Sequence, residues 1–308
     1  MSFLLTQAPT TVNSIKRNPS IQSDKESIDN PPLVMLYPSE SNNVFSSKMK
    51  KHLIISILII AILCMVGWVF IPHRSLLAQR SGVSDKHYNR EYLKHYVQFT
   101  TSDNETLTGW FFNRGEGKEI VICFAGNSCN AGMFIPFAIK DPNRSYLMFN
   151  YRGYGNSTGR LEENNMIVDA CEIIKTYAPK SGEAGVSLLG FSLGTGVAVQ
   201  AAAKIRNLNR IVLVCPFDSM ASICNLTGLK KYIVKDHFDS LAVAPLIQCP
   251  VYIVYGTEDT IVPPKNTYRL INALKKQPRI TSMKAGHTSA VDLPENQLII
   301  LESVKAPQ

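Results

Sequence analysis

The chain has 308 residues, is 45% hydrophobic and carries a formal net charge of +8. That length accommodates one large α/β domain or two small ones. The basic excess is diffuse and no nucleic-acid-binding motif accompanies it, so the composition argues against a DNA- or RNA-binding protein and at most favours an anionic membrane surface.

Residues 1–47 are rich in Ser, Asn and Pro, with turn pairs such as Asn18-Pro19 and Asn30-Pro31, and show no sustained period. They read as a disordered tail that runs to about residue 52. Residues 53–72, LIISILIIAILCMVGWVFIP, hold no charged side chain. A run of this length crosses a hydrocarbon core of ~30 Å, and a soluble helix as long would show a polar face. The reading is one transmembrane helix and a single-pass membrane protein. Lys48, Lys50, Lys51 and His52 flank one end, and Trp68 and Phe70 lie near the other. Arg74, Arg80 and Lys86 balance the first lysines in number but are more scattered. The tighter cluster places the N-terminus in the cytoplasm and the large domain across the membrane. Residues 73–94 read as a linker.

From residue 95 to 308 strands and helices alternate. His95 to Thr101 and Leu107 to Asn113 predict a hairpin around Asp103-Asn104. Glu119 to Phe124, Tyr146 to Tyr151, Val186 to Leu189, Arg210 to Cys215 and Val251 to Tyr255 are apolar runs of strand type, and Ile280 to Lys284 is a weaker one. Helical spacing covers Met166 to Tyr177, the stretch opened by Pro263-Pro264, and Leu293 to Val304. Continuous apolar strands alternating with helices predict a mostly parallel sheet covered on both faces. Residues 219–248 interrupt the alternation and suggest a small cap, with Met220, Ile223, Leu226, Tyr232 and Ile233 as apolar contributors. The seven cysteines are odd in number and lack paired metal spacing, so they read as small core residues.

Within this pattern Val186-Ser-Leu-Leu-Gly190-Phe-Ser192-Leu-Gly194 leads into a run of small residues, Thr195 to Ala203. Strand, tight turn carrying a serine, then helix is the order a nucleophile elbow requires. A Cβ two residues either side of the serine would meet neighbouring backbone, which explains Gly190 and Gly194. A serine needs a base, and the base needs an orienting acid, in the chain order Ser, Asp or Glu, His. Only His237 and His287 follow Ser192. His287 comes directly after a strand, in Ala285-Gly286-His287-Thr288, and is the predicted base. Asp259 follows the Val251 strand and is the predicted acid, with Glu258 and Asp218 as poorer alternatives. The oxyanion donors are expected to be the backbone N–H groups of Leu193 and Asn127, the latter in the loop Phe124-Ala125-Gly126-Asn127-Ser128. Arg152, in Tyr151-Arg-Gly-Tyr-Gly155, is read as part of a structural turn beneath that loop.

From about Val97 onward the chain resembles the α/β-hydrolase superfamily, and is most similar to its Bem46-like branch of membrane-anchored hydrolases. The matching stretches are Gly126-Asn127, Tyr151 to Gly155 with Ser157 and Gly159, Gly190 to Gly194, Cys249-Pro250, Gly256 to Pro263, and Gly286-His287. The resemblance implies an α/β-hydrolase fold, a triad of Ser192, Asp259 and His287, and an N-terminal anchor. Two positions depart from the family's pattern: Ala125 stands where His is usual, and Asn150 where Asp is frequent. The expected chemistry is hydrolysis of an ester or thioester of a small or lipid-like acyl substrate through an acyl-enzyme on Ser192, with no metal or organic cofactor. A catalytically silent binding protein on the same fold and a membrane-tethered serine peptidase are the competing expectations.

Overall fold

The structure is a computed structural model that describes residues 47–70, 77, 84–224 and 235–306. The expected tail up to residue 46, residues 73–76 and 78–83 of the expected linker (with Arg74 and Arg80), and the cap residues Leu226, Tyr232 and Ile233 lie outside the described residues.

The first helix, α1 (Ser47–Phe70), is 24 residues long. Its side chains Leu53, Ile54, Leu58, Leu63 and Met65 are each more than half exposed. No polar face interrupts them. Among the described residues no helix is long and apolar enough to cross a membrane.

Part of the stretch expected as a linker is helical. Asp85 to Tyr92 forms helix α2 (Asp85–Tyr92), capped by the Ser84 hydroxyl, which accepts from the Lys86 N–H. Asp85 is fully buried, and Leu77 lies in the core of the hydrolase-like domain. The sequence DKHYNREY hides this, because the burial is of polar groups that carry no apolar stripe.

After α2 the order is β1 (Tyr96–Thr100), β2 (Thr106–Phe112), β3 (Ile120–Phe124), α3 (Ile135–Lys140), β4 (Ser145–Phe149), α4 (Glu163–Ser181), β5 (Val186–Phe191), α5 (Leu193–Lys204) and β6 (Leu208–Val214). Two short helices follow, α6 (Met220–Ile223) and α7 (Ser240–Val243), and then β7 (Val251–Gly256), α8 (Pro264–Ala273), β8 (Arg279–Met283), α9 (Ser289–Asp292) and α10 (Pro294–Lys305). The strands form one eight-stranded sheet in the order β1-β2-β4-β3-β5-β6-β7-β8. The pairs β1–β2 and β2–β4 are antiparallel, and all pairs from β4 to β8 are parallel. This is the mostly parallel α/β sheet that the sequence predicts.

The apolar runs are continuous because both sheet faces are covered. Along β3, Ile120, Ile122 and Phe124 enter one core cluster, while Val121 and Cys123 enter the other. Helix α5 reaches the sheet closely because its contact residues are small. A Cβ on Gly194 would stand 1.9 Å from the Phe124 carbonyl oxygen, and one on Gly190 would stand 2.5 Å from the Gly194 oxygen. Parallel alignment puts the carboxyl ends of β3, β5, β6, β7 and β8 along one rim, where reactive groups of such sheets gather.

Candidate active site

Ser192 occupies the turn between β5 and α5 with φ of 52°, a left-handed conformation that a residue with a Cβ rarely adopts. Such a conformation costs on the order of 1–3 kcal/mol and persists only where neighbours over-determine it. Here the Ser192 N–H donates to the Val214 carbonyl at the end of β6, at 3.0 Å, and the Ser192 carbonyl accepts from Thr195 N–H at 2.8 Å. The turn lifts Oγ above the rim at the start of a twelve-residue helix. Leu193 opens that helix, so its N–H has no acceptor within the helix.

His287 and Asp259 are brought to the same point from strands further along the sheet. Between β5 and β8 lie three strand spacings, about 14 Å, which the loops after β7 and β8 must bridge. They are tied together to do so. Glu258 N–H donates to the Ala285 carbonyl at 3.1 Å, and Gly256 permits an approach in which an added Cβ would stand 2.2 Å from that oxygen. Asp259 is buried. Its Oδ1 accepts from the N–H groups of Ile261, at 2.9 Å, and Val262, at 2.8 Å. The other oxygen, Oδ2, lies 2.6 Å from His287 Nδ1, and His287 Nε2 lies 2.9 Å from Ser192 Oγ.

An ionised carboxylate only accepts, so Nδ1 carries the imidazole hydrogen and Nε2 is left to accept from the serine hydroxyl. Burial opposes ionisation of Asp259, but the hydrogen bonds from His287 and Val262 N–H outweigh it, and the carboxyl pKa lies below its ordinary value. Phe191 packs on the imidazole with ring centroids 5.0 Å apart, limiting its rotation.

The alternatives stand elsewhere. Glu258 is exposed. Asp218 is buried against Asn266 and Arg269. The backbone carbonyl of His237 receives the Met220 N–H in the segment that leads to α7. Asn127 sits on the loop after β3, where its Oδ1 accepts from the Tyr154 hydroxyl at 3.0 Å. Tyr154 also accepts from Ser128 N–H, and the Tyr151 hydroxyl donates to the Ala125 carbonyl at 2.8 Å. The turn from Tyr151 to Gly155 therefore supports the loop after β3 that carries Asn127. Arg152 is buried and held by Asp169 and Asp103.

Two residues that sequence reasoning did not single out complete the site. The first is Asp85. Its carboxylate accepts from Tyr96 Oη, Thr108 Oγ1, Asn130 Nδ2, Asn150 Nδ2 and Asn156 N–H, at 2.8–3.1 Å. Asn130 and Asn150 in turn accept the N–H groups of Gly132 and Ala131, so the carboxylate fixes the far end of the oxyanion loop. This accounts for Asn150 where the family favours Asp: an acid there would lose the donor and set two carboxylates together. The second is Cys215, which follows β6 with φ of 52° and whose Sγ lies within 4.8 Å of donor atoms of Asp259 and His287. Among the described residues, Cys215, Asp259 and His287 form a group with donor atoms all within 4.8 Å of one another, able in composition to hold a metal ion.

The profile of the family described as serine hydrolase (FSH1) matches residues 69–294. An uncharacterized protein of Mycobacterium tuberculosis, Rv2307c, is 31% identical over 197 residues, covering 59% of this chain and 68% of its own length. The protein bem46 of Schizosaccharomyces pombe is 25% identical over 197 residues, covering 58% of this chain and 64% of its own. Among solved structures, the Pyrococcus furiosus esterase Pf2001 superposes with a TM-score of 0.57 at 23% identity, over 74% of this chain and 97% of that one. At that identity the likeness is one of fold, the α/β-hydrolase fold.

Proposed function

The chain belongs to the FSH1 serine hydrolase family, and on that premise we propose that it is a membrane-anchored hydrolase of carboxylic esters or thioesters that works through an acyl-enzyme on Ser192. The observation that carries this reading is the unbroken hydrogen-bonded run from Asp259 through His287 to Ser192.

In this mechanism His287 Nε2 takes the hydroxyl proton as Ser192 Oγ attacks the carbonyl carbon. The oxyanion is met by the Leu193 N–H and by the loop that carries Asn127, at the positive end of the α5 dipole. Asp259 holds the tautomer and stabilises the imidazolium. The proton passes to the leaving alcohol or thiol. Water then enters, gives its proton to Nε2, and its oxygen releases the acid from Ser192. These steps use only groups of the chain and water.

The anchor in this proposal is the stretch 53–72, which carries no charged side chain. Lys48, Lys50 and Lys51 argue for a cytoplasmic N-terminus. A membrane-held site favours acyl substrates that partition into lipid. Rapid-quench mass spectrometry with a series of p-nitrophenyl esters, run beside peptide substrates, tests the reading. It predicts an acyl mass increment on the peptide containing Ser192 and burst release of p-nitrophenol. Turnover of peptides but not esters, or no adduct with any ester, would overturn it.

A further inference from the structure

Cys215 has no assigned task in the hydrolytic mechanism, yet it sits at the rim between the nucleophile strand and the acid strand. The register Val214↔Val254 between β6 and β7 puts the residue after β6 beside the loop that carries Asp259. Its N–H donates to the Val254 carbonyl at 2.8 Å, and its left-handed φ turns the side chain off the strand's alternation. The thiol Sγ lies within 4.8 Å of an Asp259 carboxylate oxygen, and His287 Nδ1–H meets that carboxylate at 2.6 Å. A thiol and an imidazole N–H thus flank one carboxylate, and both become metal donors when those hydrogens leave.

We propose that Cys215, Asp259 and His287 form an inhibitory site for a thiophilic divalent cation of the zinc type. The three donor atoms already lie within 4.8 Å of one another, and two of the residues are buried. Donors around a tetrahedral zinc are about 3.3–3.5 Å apart, so Sγ would close in while the 2.6 Å pair of Asp259 and His287 opens. One thiolate and one carboxylate cancel the double charge, which makes the occupied site neutral in a buried setting. Thiolate and imidazole select zinc-like ions over magnesium, which prefers an all-oxygen shell.

The cation binds Sγ, a carboxylate oxygen and Nδ1. The thiol proton leaves to solvent, and the imidazole hydrogen moves from Nδ1 to Nε2. One proton is released per ion. Nε2–H then donates to Ser192 Oγ instead of accepting from it, and the serine keeps its proton. The inhibition rests on the hydrolase reading above; the binding does not.

Binding is therefore measured first on the full-length Ser192→Ala protein in detergent, with Co²⁺ as a spectroscopic stand-in and Zn²⁺ as competitor. A thiolate-to-cobalt charge-transfer band is expected, displaced by Zn²⁺ and untouched by Mg²⁺. In Ser192→Ala with Cys215→Ser the band should vanish. Zn²⁺ affinity should fall by at least the roughly 10–100-fold that loss of an outer partner costs. The Cys215→Ser change keeps a hydroxyl donor for Asp259, and circular dichroism verifies that it folds. On protein with Ser192 intact, the rate of fluorophosphonate labelling with Zn²⁺ divided by that without should fall well below one. In Cys215→Ser it should stay near one, and chelator should restore the wild-type rate. A cobalt band that survives Cys215→Ser, absence of any band, or equal inhibition of both proteins would overturn the proposal. A protein that shows the band but never reacts with fluorophosphonate would overturn the hydrolase reading and leave the metal site standing.

Discussion

At the scale of single residues, the arrangement depends on which imidazole nitrogen carries hydrogen. Asp259→Asn keeps the shape but presents an amide N–H₂ to Nδ1, which favours the tautomer with hydrogen on Nε2. Turnover of an ester should fall roughly 10⁴-fold with little change in KM, as loss of the correct tautomer does elsewhere. Steady-state kinetics on a p-nitrophenyl ester check this. Gly194→Ala places a methyl 1.9 Å from the Phe124 carbonyl oxygen. It should cost about 3 kcal/mol or more, read from chemical denaturation, since backbone on both sides must move. Ser192, Asp259 and His287 were legible as a set because each directly follows an apolar strand and their order along the chain is restrictive. Cys215 follows a strand in the same way and was read as core. Its approach to Asp259 comes from the pairing of β6 with β7 and from a left-handed φ, neither of which has a signature in the residue type.

The elements divide in the same way. Strands β3, β5, β6 and β7 announce themselves because both their faces are buried, and the predicted boundaries agree with the observed ones to within a few residues. Helix α2 gave no such signal. It is held by a carboxylate with five donors rather than by an apolar stripe, and its partners Thr108, Asn130 and Asn150 are remote in sequence. It also packs Tyr88 where a Cβ on Gly132 would stand 2.7 Å from the ring. Asp85→Asn turns an amide N–H₂ toward the Asn130 and Asn150 donors. At about 1–3 kcal/mol for each buried polar group left unmatched, the loss of stability should exceed 2 kcal/mol. Ester hydrolysis at a temperature where the variant remains folded should show reduced kcat with KM nearly unchanged, because the disturbed groups support the oxyanion loop. A fall in stability with unaltered kcat would separate α2 from that loop.

For the molecule as a whole, the two rims of the sheet have different tasks. The carboxyl rim carries the reactive groups, while the amino rim is fastened by Glu119. Its carboxylate meets Arg144 Nε at 2.6 Å, Arg210 Nη1 at 2.9 Å, Asn209 and the Ser187 hydroxyl, so it links β3 to the neighbourhoods of β4, β5 and β6. Burial works against the charge of Glu119, but these bonds win and its pKa is lowered. The folded protein therefore binds fewer protons at this site than the unfolded chain. The stabilisation is complete above the ordinary glutamate range near pH 4.3 and is lost as pH falls through the lowered value. Denaturation midpoints measured from pH 6 downward should drop more steeply in wild type than in Glu119→Gln. The proposed anchor belongs to this scale too: full-length protein should resist extraction from membranes by alkaline carbonate, and a form lacking residues 1–72 should not.

The central claim is that Ser192 is made nucleophilic by the Asp259–His287 pair. The most direct measurement is the second-order rate of fluorophosphonate modification, with the adduct mapped by peptide mass spectrometry, in wild type, Ser192→Ala and His287→Ala. A single adduct on Ser192, absent in Ser192→Ala and slowed by orders of magnitude in His287→Ala, is the predicted result. Modification at another residue, or an undiminished rate at Ser192 when His287 is replaced, would contradict it.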